Sequence, residues 1–220
     1  VSFSQVTLQL LQGFGTTCLL FILTLVFSLP LGLVVCAGSR TRFKPLRYLT
    51  RAFVWVIRGT PLMLQLFVVF YVPGMVFNTP IFANIPNGRF VAALIAFVIN
   101  YACYFSEIYR GGIESISVGQ YEASAVLGFS KGQTFFHVVL PQVVKRIVPP
   151  IGNEIITLVK DTSLARVIAV IDIIMVAENI LSLKALIWPL FYAGVFFLLF
   201  NGLVTLLLRY AEKKLDYYKI

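Results

Sequence analysis

Apolar residues in this chain fall in long unbroken runs, unlike the alternating or one-faced patterns of a soluble fold, and the stretches between them gather most of the charge. A helix that crosses a bilayer needs about 20 mostly apolar residues. Runs of that length predict five spans, at about 13–37, 52–77, 89–109, 149–170 and 186–209. Arg58-Gly59-Thr60-Pro61 interrupts the second, and the fourth carries Glu154, Lys160, Asp161 and Arg166. The expected fold class is an all-α integral membrane protein, with residues 1–220 forming one transmembrane domain. The chain begins at Val1 without a basic segment ahead of the apolar run that starts near Gly13, so that run reads as a span and not as a removable signal.

Composition sharpens this picture. Hydrophobic residues make up 59% and charged residues 12% of the chain, against about 45–50% and 25% in soluble domains, so a soluble globule is excluded and the lipid bilayer becomes the first partner. The formal charge of +9 is resolved by position. Arg40, Arg42, Lys44, Arg47 and Arg51 lie between spans one and two, and Arg110, Lys131, Lys145 and Arg146 between three and four. Arg209, Lys213, Lys214 and Lys219 follow span five, so 13 of the 18 basic residues share one side. By the positive-inside rule the N-terminus is outside and the C-terminus cytoplasmic. No basic-aromatic soluble module exists to bind nucleic acid. Cys18, Cys36 and Cys103 sit far apart in apolar runs beside a single histidine, His137, which gives neither a disulfide framework nor a metal site. Trp55, Trp188, Tyr192, Tyr217 and Tyr218 fall near span ends, where interfacial aromatics belong.

The cytoplasmic segment at about 110–148 has order signals. Ser117 precedes Gln120 by three residues and Ser130 precedes Gln133 by three, each the spacing of a capping box. Two short helices are predicted: one over about 118–127 ending at Gly128, and one over about 131–140 ending at Pro141. Such a helix-turn-helix is too short to stand alone. It exposes Val118, Tyr121, Ala125, Leu127 and Phe129 among polar residues, a surface suited either to docking a soluble protein or to lying on the membrane.

Glu122-Ala123-Ser124, then Gly128, Val138, Leu140 and Pro141, resembles the EAA motif of binding-protein-dependent ABC import permeases, with Ser124 and Val138 standing where Ala and Ile are usual. Arg58-Gly59-Thr60-Pro61-Leu62, the run Glu107 to Ile113, Gly119-Gln120, Leu140-Pro141-Gln142, Gly152-Asn153-Glu154 and Leu158 to Leu164 are similar to the polar amino acid subfamily. The resemblance implies a permease of the bacterial plasma (inner) membrane that works with a second permease subunit, same or similar, a dimer of ATP-binding subunits and an extracytoplasmic amino acid-binding protein. It further implies that Gly119, Gln120, Tyr121, Glu122, Ala123, Ser124, Gly128 and Phe129 form the coupling helices seated in the ATP-binding subunit, Gly128 allowing a close approach. The sequence itself contains no G-x-x-x-x-G-K-[ST] loop, so no cofactor is expected on this chain. ATP and Mg would belong to the partner, and this chain would not be an enzyme.

Ionisable residues within spans are costly and usually face a cavity or a partner. On the fourth span Asn153, Thr157 and Lys160 fall at i, i+4 and i+7, and Glu154, Thr157 and Asp161 at i, i+3 and i+7, forming a polar stripe, with Pro149 and Pro150 expected at a helix entry or break. On the second, Thr60 is placed to cap a half-helix beginning at Pro61, whose N–H groups would face an anion beside Arg58. The substrate-binding set is therefore Arg58 and Thr60, with Gln65 one turn further along, for a carboxylate; Glu154, oriented by Asn153, for an ammonium or cationic side chain; and Thr157 and Lys160 on the same polar stripe. Arg58, Lys160 and Asp161 alternatively form internal ion pairs or gate pairs. The rival functions are a non-transporting membrane scaffold and a stand-alone secondary transporter.

Overall fold

The computed structural model describes residues 2–215, so Tyr217, Tyr218 and Lys219 lie outside the described residues. Among the described residues, three helices are long and apolar enough to cross a membrane: α1 (Phe3–Arg40), α4 (Gly88–Glu114) and α9 (Trp188–Leu215). The segment expected as a second span is a pair, α2 (Lys44–Gly59) and α3 (Leu62–Phe77), bent by 109° at the break between them. Counted as one broken span, the pair brings the number of spans to four on length and composition.

The fourth predicted span also divides differently. Helix α5 (Val118–Val126) is followed by one turn, α6 (Lys131–Gln133), then a π-helical stretch at Thr134–Val139 that runs directly into α7 (Leu140–Asp161). Helix geometry gives way to a 3₁₀ stretch at Thr162–Ile168, and α8 (Ile173–Lys184) closes the chain back toward α9. Pro149 and Pro150 lie inside α7 and do not break it. Each forfeits one helical hydrogen bond, which membrane helices tolerate where the neighbouring bonds persist.

The centre of the bundle is the pairing of α1 with α4. Thr17, Leu20, Thr24, Ser28, Gly32, Cys36 and Ser39 recur at spacings of three and four along α1, and all are buried. Ala93, Ala96, Asn100, Cys103 and Ser106 do the same on α4. In lipid there is no hydrophobic gain from bringing two apolar helices together, so small residues that let backbones approach supply the attraction through dispersion contacts. Gly32 marks the tightest point: a Cβ there would lie 2.9 Å from Cβ of Phe105 and 3.1 Å from the carbonyl oxygen of Ala102.

The remaining helices pack around this pair. Helices α3 and α7 lie against α4, while α8 and α9 cover the N-terminal half of α1. Phe14 meets Phe196 and Phe200, and Phe21 meets Phe200 edge-on at 5.1 Å between centroids, which ties α1 to α9. At the end of the bundle away from the basic segments, Phe3 stacks on Trp188 at 5.5 Å and Tyr192 joins them. Asp172 caps α8, accepting from the Met175 N–H at 2.8 Å, and Arg166 of the 3₁₀ stretch pairs with Glu178 of α8.

The close approach at Gly32 makes a prediction with an internal control. Gly32→Ala should destabilise the purified protein by about 1–3 kcal/mol, the usual cost of overpacking, read as a lower melting temperature in detergent. Gly15→Ala, on the same helix but with open space where its Cβ would go, should leave melting unchanged.

Candidate functional site

Two features stand out: a charged cluster at the break between α2 and α3, and an exposed helix at the basic end. At the break, Thr60 and Pro61 are both extended, as a residue before proline and a proline ahead of a helix favour. The expected Thr60 cap on α3 is not made. Pro61 occupies the N-cap position and offers no side-chain acceptor, while the Thr60 hydroxyl turns back and donates to the Val56 carbonyl at 3.0 Å. On the α3 side Oγ1 meets the side-chain amide of Gln65 at 2.9 Å and not a backbone N–H.

Arg58, in the last turn of α2, reaches Glu107 of α4 at 3.6 Å and lies over the Tyr104 ring with 5.0 Å from its guanidinium carbon to the centroid. Glu107 is shared. It accepts a two-pronged bond from Arg110 at 2.6 and 3.0 Å, and Arg110 also donates to Glu114 at 2.7 Å. An open cavity of about 420 Å³ is lined by Arg51, Val54, Trp55, Arg58, Gly59, Glu107 and Arg110, within the range of small-molecule sites.

From α7, Glu154 is half-buried. Asp161 does not pair with Arg58; it accepts a 2.7 Å hydrogen bond from the hydroxyl of Tyr101, which is fully buried on α4. Thr157 spends its hydroxyl on the Asn153 carbonyl at 3.0 Å, and Asn153 and Lys160 remain exposed. The predicted stripe thus divides, with Asp161 locked to α4 and Glu154, among the described residues, left half-buried without a partner from α4. Gln65 is buried, and its amide is directed at backbone carbonyls of the break.

Sequence reasoning did not place Glu107, Tyr104, Tyr101 or Asn100 in the site. Glu107 could have been found, because it is an acid within the apolar run at 89–109, the same signal that selected Arg58 and Glu154. The aromatic and amide partners carry no such signal, since their types are ordinary in a membrane helix.

At the basic end, the Ser130–Gln133 capping box is formed in full, with Gln133 N–H on Ser130 Oγ at 3.3 Å and Ser130 N–H on Gln133 Oε1 at 2.9 Å. The Ser117–Gln120 box is not. Ser117 makes no side-chain cap, and Oε1 of Gln120 accepts from Gln142 of α7 at 3.3 Å instead. Pro141 does not end the second helix either. In an α-helix its ring would collide with the carbonyl of His137, and the wider π-helical turn at Thr134–Val139 removes that clash. The side-chain amide of Gln142 then donates to the Val138 carbonyl at 2.8 Å. Instead of a helix-turn-helix, the structure has α5 joined by one turn to a shaft that continues into α7.

Helix α5 stops in a Schellman motif. Gly128 has φ +78° and its N–H bonds to the Ala125 carbonyl at 3.0 Å, while the Phe129 N–H bonds to the Ser124 carbonyl at 3.0 Å. Ser124 is buried and donates to the Gln120 carbonyl at 2.7 Å. Arg146 of α7 donates to both the carbonyl and, at 2.9 Å, the hydroxyl of Ser115, which fixes the approach to α5. Ile116 is buried with Val139 and Val143 beneath this junction. Around Gly119, Glu122 and Ala123, the apolar side chains of Val118, Tyr121, Leu127, Phe129 and Phe136 are exposed, and Val126 is 88% exposed. Exposed apolar area of this extent on a charged segment marks a contact surface.

A helical membrane bundle with charged groups at a broken helix and a rigid apolar-tipped helix outside it defines a membrane transport subunit built to receive a partner. The model of the binding-protein-dependent transport system inner membrane component matches residues 28–217, and the chain belongs to that family. It is 35% identical over 208 residues to the L-cystine transport system permease protein TcyB of Bacillus subtilis, covering 94% of this chain and 86% of that one. It is 33% identical over 211 residues to the glutamine transport system permease protein GlnP of Escherichia coli, covering 94% and 92%. The crystal structure of an amino acid ABC transporter with histidines superposes with a TM-score of 0.86 at 29% identity, over 97% of this chain and 99% of that one.

Two roles for Gly128 can be separated by substitution. Beyond its two chain neighbours, no residue of this chain lies within 4 Å of where its Cβ would be, so the need is for positive φ, and Asn tolerates that conformation better than Ala or Val. Co-purification with the ATP-binding partner should fall in the order Gly, Asn, Ala, Val. If close approach by the partner decides instead, Ala should be better tolerated than the larger Asn.

Proposed function

We propose that this chain is the pathway-forming permease of an ATP-driven importer of polar amino acids, with its N-terminus outside and its basic end in the cytoplasm. It pairs with a second permease subunit, receives solute from an extracytoplasmic binding protein and rests on two ATP-binding subunits, which hold the ATP and Mg. The observation that carries the reading is Arg58 at the end of a broken membrane helix, lining an open cavity and held by Glu107 at 3.6 Å, with Glu154 half-buried on α7. An amino acid brings a carboxylate and an ammonium, and the two sides of this site offer the complementary charges.

On this reading the solute carboxylate displaces Glu107 from Arg58, at little cost because Glu107 keeps its stronger fork on Arg110. Unbonded N–H groups in the first turn of α3 assist the anion. Glu154, with Asn153 and Thr157 beside it, takes the ammonium or a cationic side chain, and Lys160 lies further along the same helix. Closure of the ATP-binding subunits moves α5. The continuous run from α6 through the π-helical stretch to α7 carries that displacement to Glu154 and Asp161 without a hinge. Gly119, Gln120, Tyr121, Glu122, Ala123, Ser124, Gly128 and Phe129 form the receiving surface.

The test is reconstitution in liposomes with the ATP-binding partner and the binding protein, measuring ATP hydrolysis against a panel of amino acids. Glu154→Gln should raise the apparent KM at least about tenfold, equivalent to about 1.4 kcal/mol of binding, and more for cationic solutes if Glu154 reads the side chain. Unchanged KM values across the whole panel would remove Glu154 from the site.

A further inference from the structure

The break between α2 and α3 poses a hydrogen-bonding problem that the site's charged residues do not solve. The last carbonyls of α2 have no partners within the helix, and in a membrane interior no bulk water replaces them. Thr60 Oγ1 serves Val56. Gln65, in the first turns of α3, serves the next: its Nε2 donates to the Ile57 carbonyl at 2.7 Å and lies 3.1 Å from the Thr60 carbonyl and 2.9 Å from Thr60 Oγ1. Two N–H bonds are shared among three acceptors, so the amide has no donor left for a solute.

The orientation of that amide is set from a third helix. Asn100 of α4 donates through Nδ2 to Gln65 Oε1 at 3.0 Å. Turning the Gln65 amide over would oppose two donors here and two acceptors at the break, so one arrangement is allowed. Gln65 is 9% and Asn100 5% exposed. Ile57 and Thr60, whose carbonyls are held, bracket Arg58. Along α4, Asn100, Tyr104 and Glu107 fall at i, i+4 and i+7, one face of a helix. The same face that anchors the break therefore also receives the Arg58 side chain through Tyr104 and Glu107.

We propose that Gln65 and Asn100 are positioning residues, a clamp across α2, α3 and α4 that fixes the break so that the Arg58 guanidinium is presented to the solute, and that neither touches the solute. This reassigns Gln65 from the ligand set and rests on the proposed role of Arg58. The clamp acts on affinity through geometry and carries no information about which amino acid is bound.

The test uses the reconstituted complex and the variants Gln65→Met and Asn100→Ala, the second acting from α4 without altering the break itself. Hydrogen–deuterium exchange over residues 55–62 should quicken at least about tenfold in both, and the apparent KM should rise at least about tenfold for every solute, with kcat within about twofold and the ranking of amino acids unchanged. A reordered ranking would make Gln65 a ligand and overturn the proposal. Faster exchange with unaltered KM would make the clamp structural only, and overturn it equally. Failure of the transport reading itself is distinguishable, since the unsubstituted complex would then show no stimulation by any amino acid, which would remove the positioning role while the exchange difference persisted.

Discussion

A backbone carbonyl or N–H in hydrocarbon has no water to bond, and leaving one unpaired costs several kcal/mol. Every departure from α-helix in this bundle is governed by that cost. At the break after Gly59, Thr60 and Gln65 supply the donors. At Pro141 a π-helical stretch changes the register, and Gln142 serves the Val138 carbonyl. After Asp161 the chain tightens into a 3₁₀ stretch and then ends in a left-handed residue, Ala169. The irregular places are also the ones that carry charge or shape, because a residue type recruited to satisfy the backbone fixes its neighbours as well.

The second organising feature is the continuity from α6 to α7. A helix-turn-helix on a loop would absorb a partner's movement in the loop, whereas a shaft passes it on. Three contacts stiffen the base of the shaft: Arg146 on Ser115, Gln142 on Gln120, and the packing of Ile116 against Val139 and Val143. The exposed tip and the half-buried Glu154 are thereby two points on one connected body, separated by length and not by flexible chain.

Much of the architecture was legible in the sequence because it follows from hydropathy alone. The first, third and fifth predicted spans correspond to α1, α4 and α9, although α1 begins ten residues earlier, where Ser2 and Gln5 form a capping box in a polar stretch too short of apolar residues to count. What sequence could not supply was competition between partners. Ser117–Gln120 and Ser130–Gln133 have the same spacing, yet only the second forms a box, since Gln120 finds Gln142 from a helix distant in sequence. Proline rules placed a helix end at Pro141 and a helix entry or break at Pro149-Pro150, and both lie inside continuous helix because local widening and surviving neighbours absorb the loss. In the site, charges inside apolar runs were readable one by one. Which of them meet was not, and the division of the stripe between Glu154 and Asp161 depends on Tyr101, a residue whose type gave no hint.

The seam of small residues between α1 and α4 also bears on how the protein is made. Helix α1 leaves the ribosome well ahead of the helix it fits, with the whole of residues 41–87 in between. Until α4 arrives, the hydroxyls of Thr24 and Ser28 face lipid or the insertion machinery, and Gly32 offers lipid chains a groove instead of a neighbour. Helix α1 is therefore a segment whose apolar majority inserts it at once and whose minority of small and polar positions waits, so closure of this seam is timed by the synthesis of the third long apolar run and not by the first two.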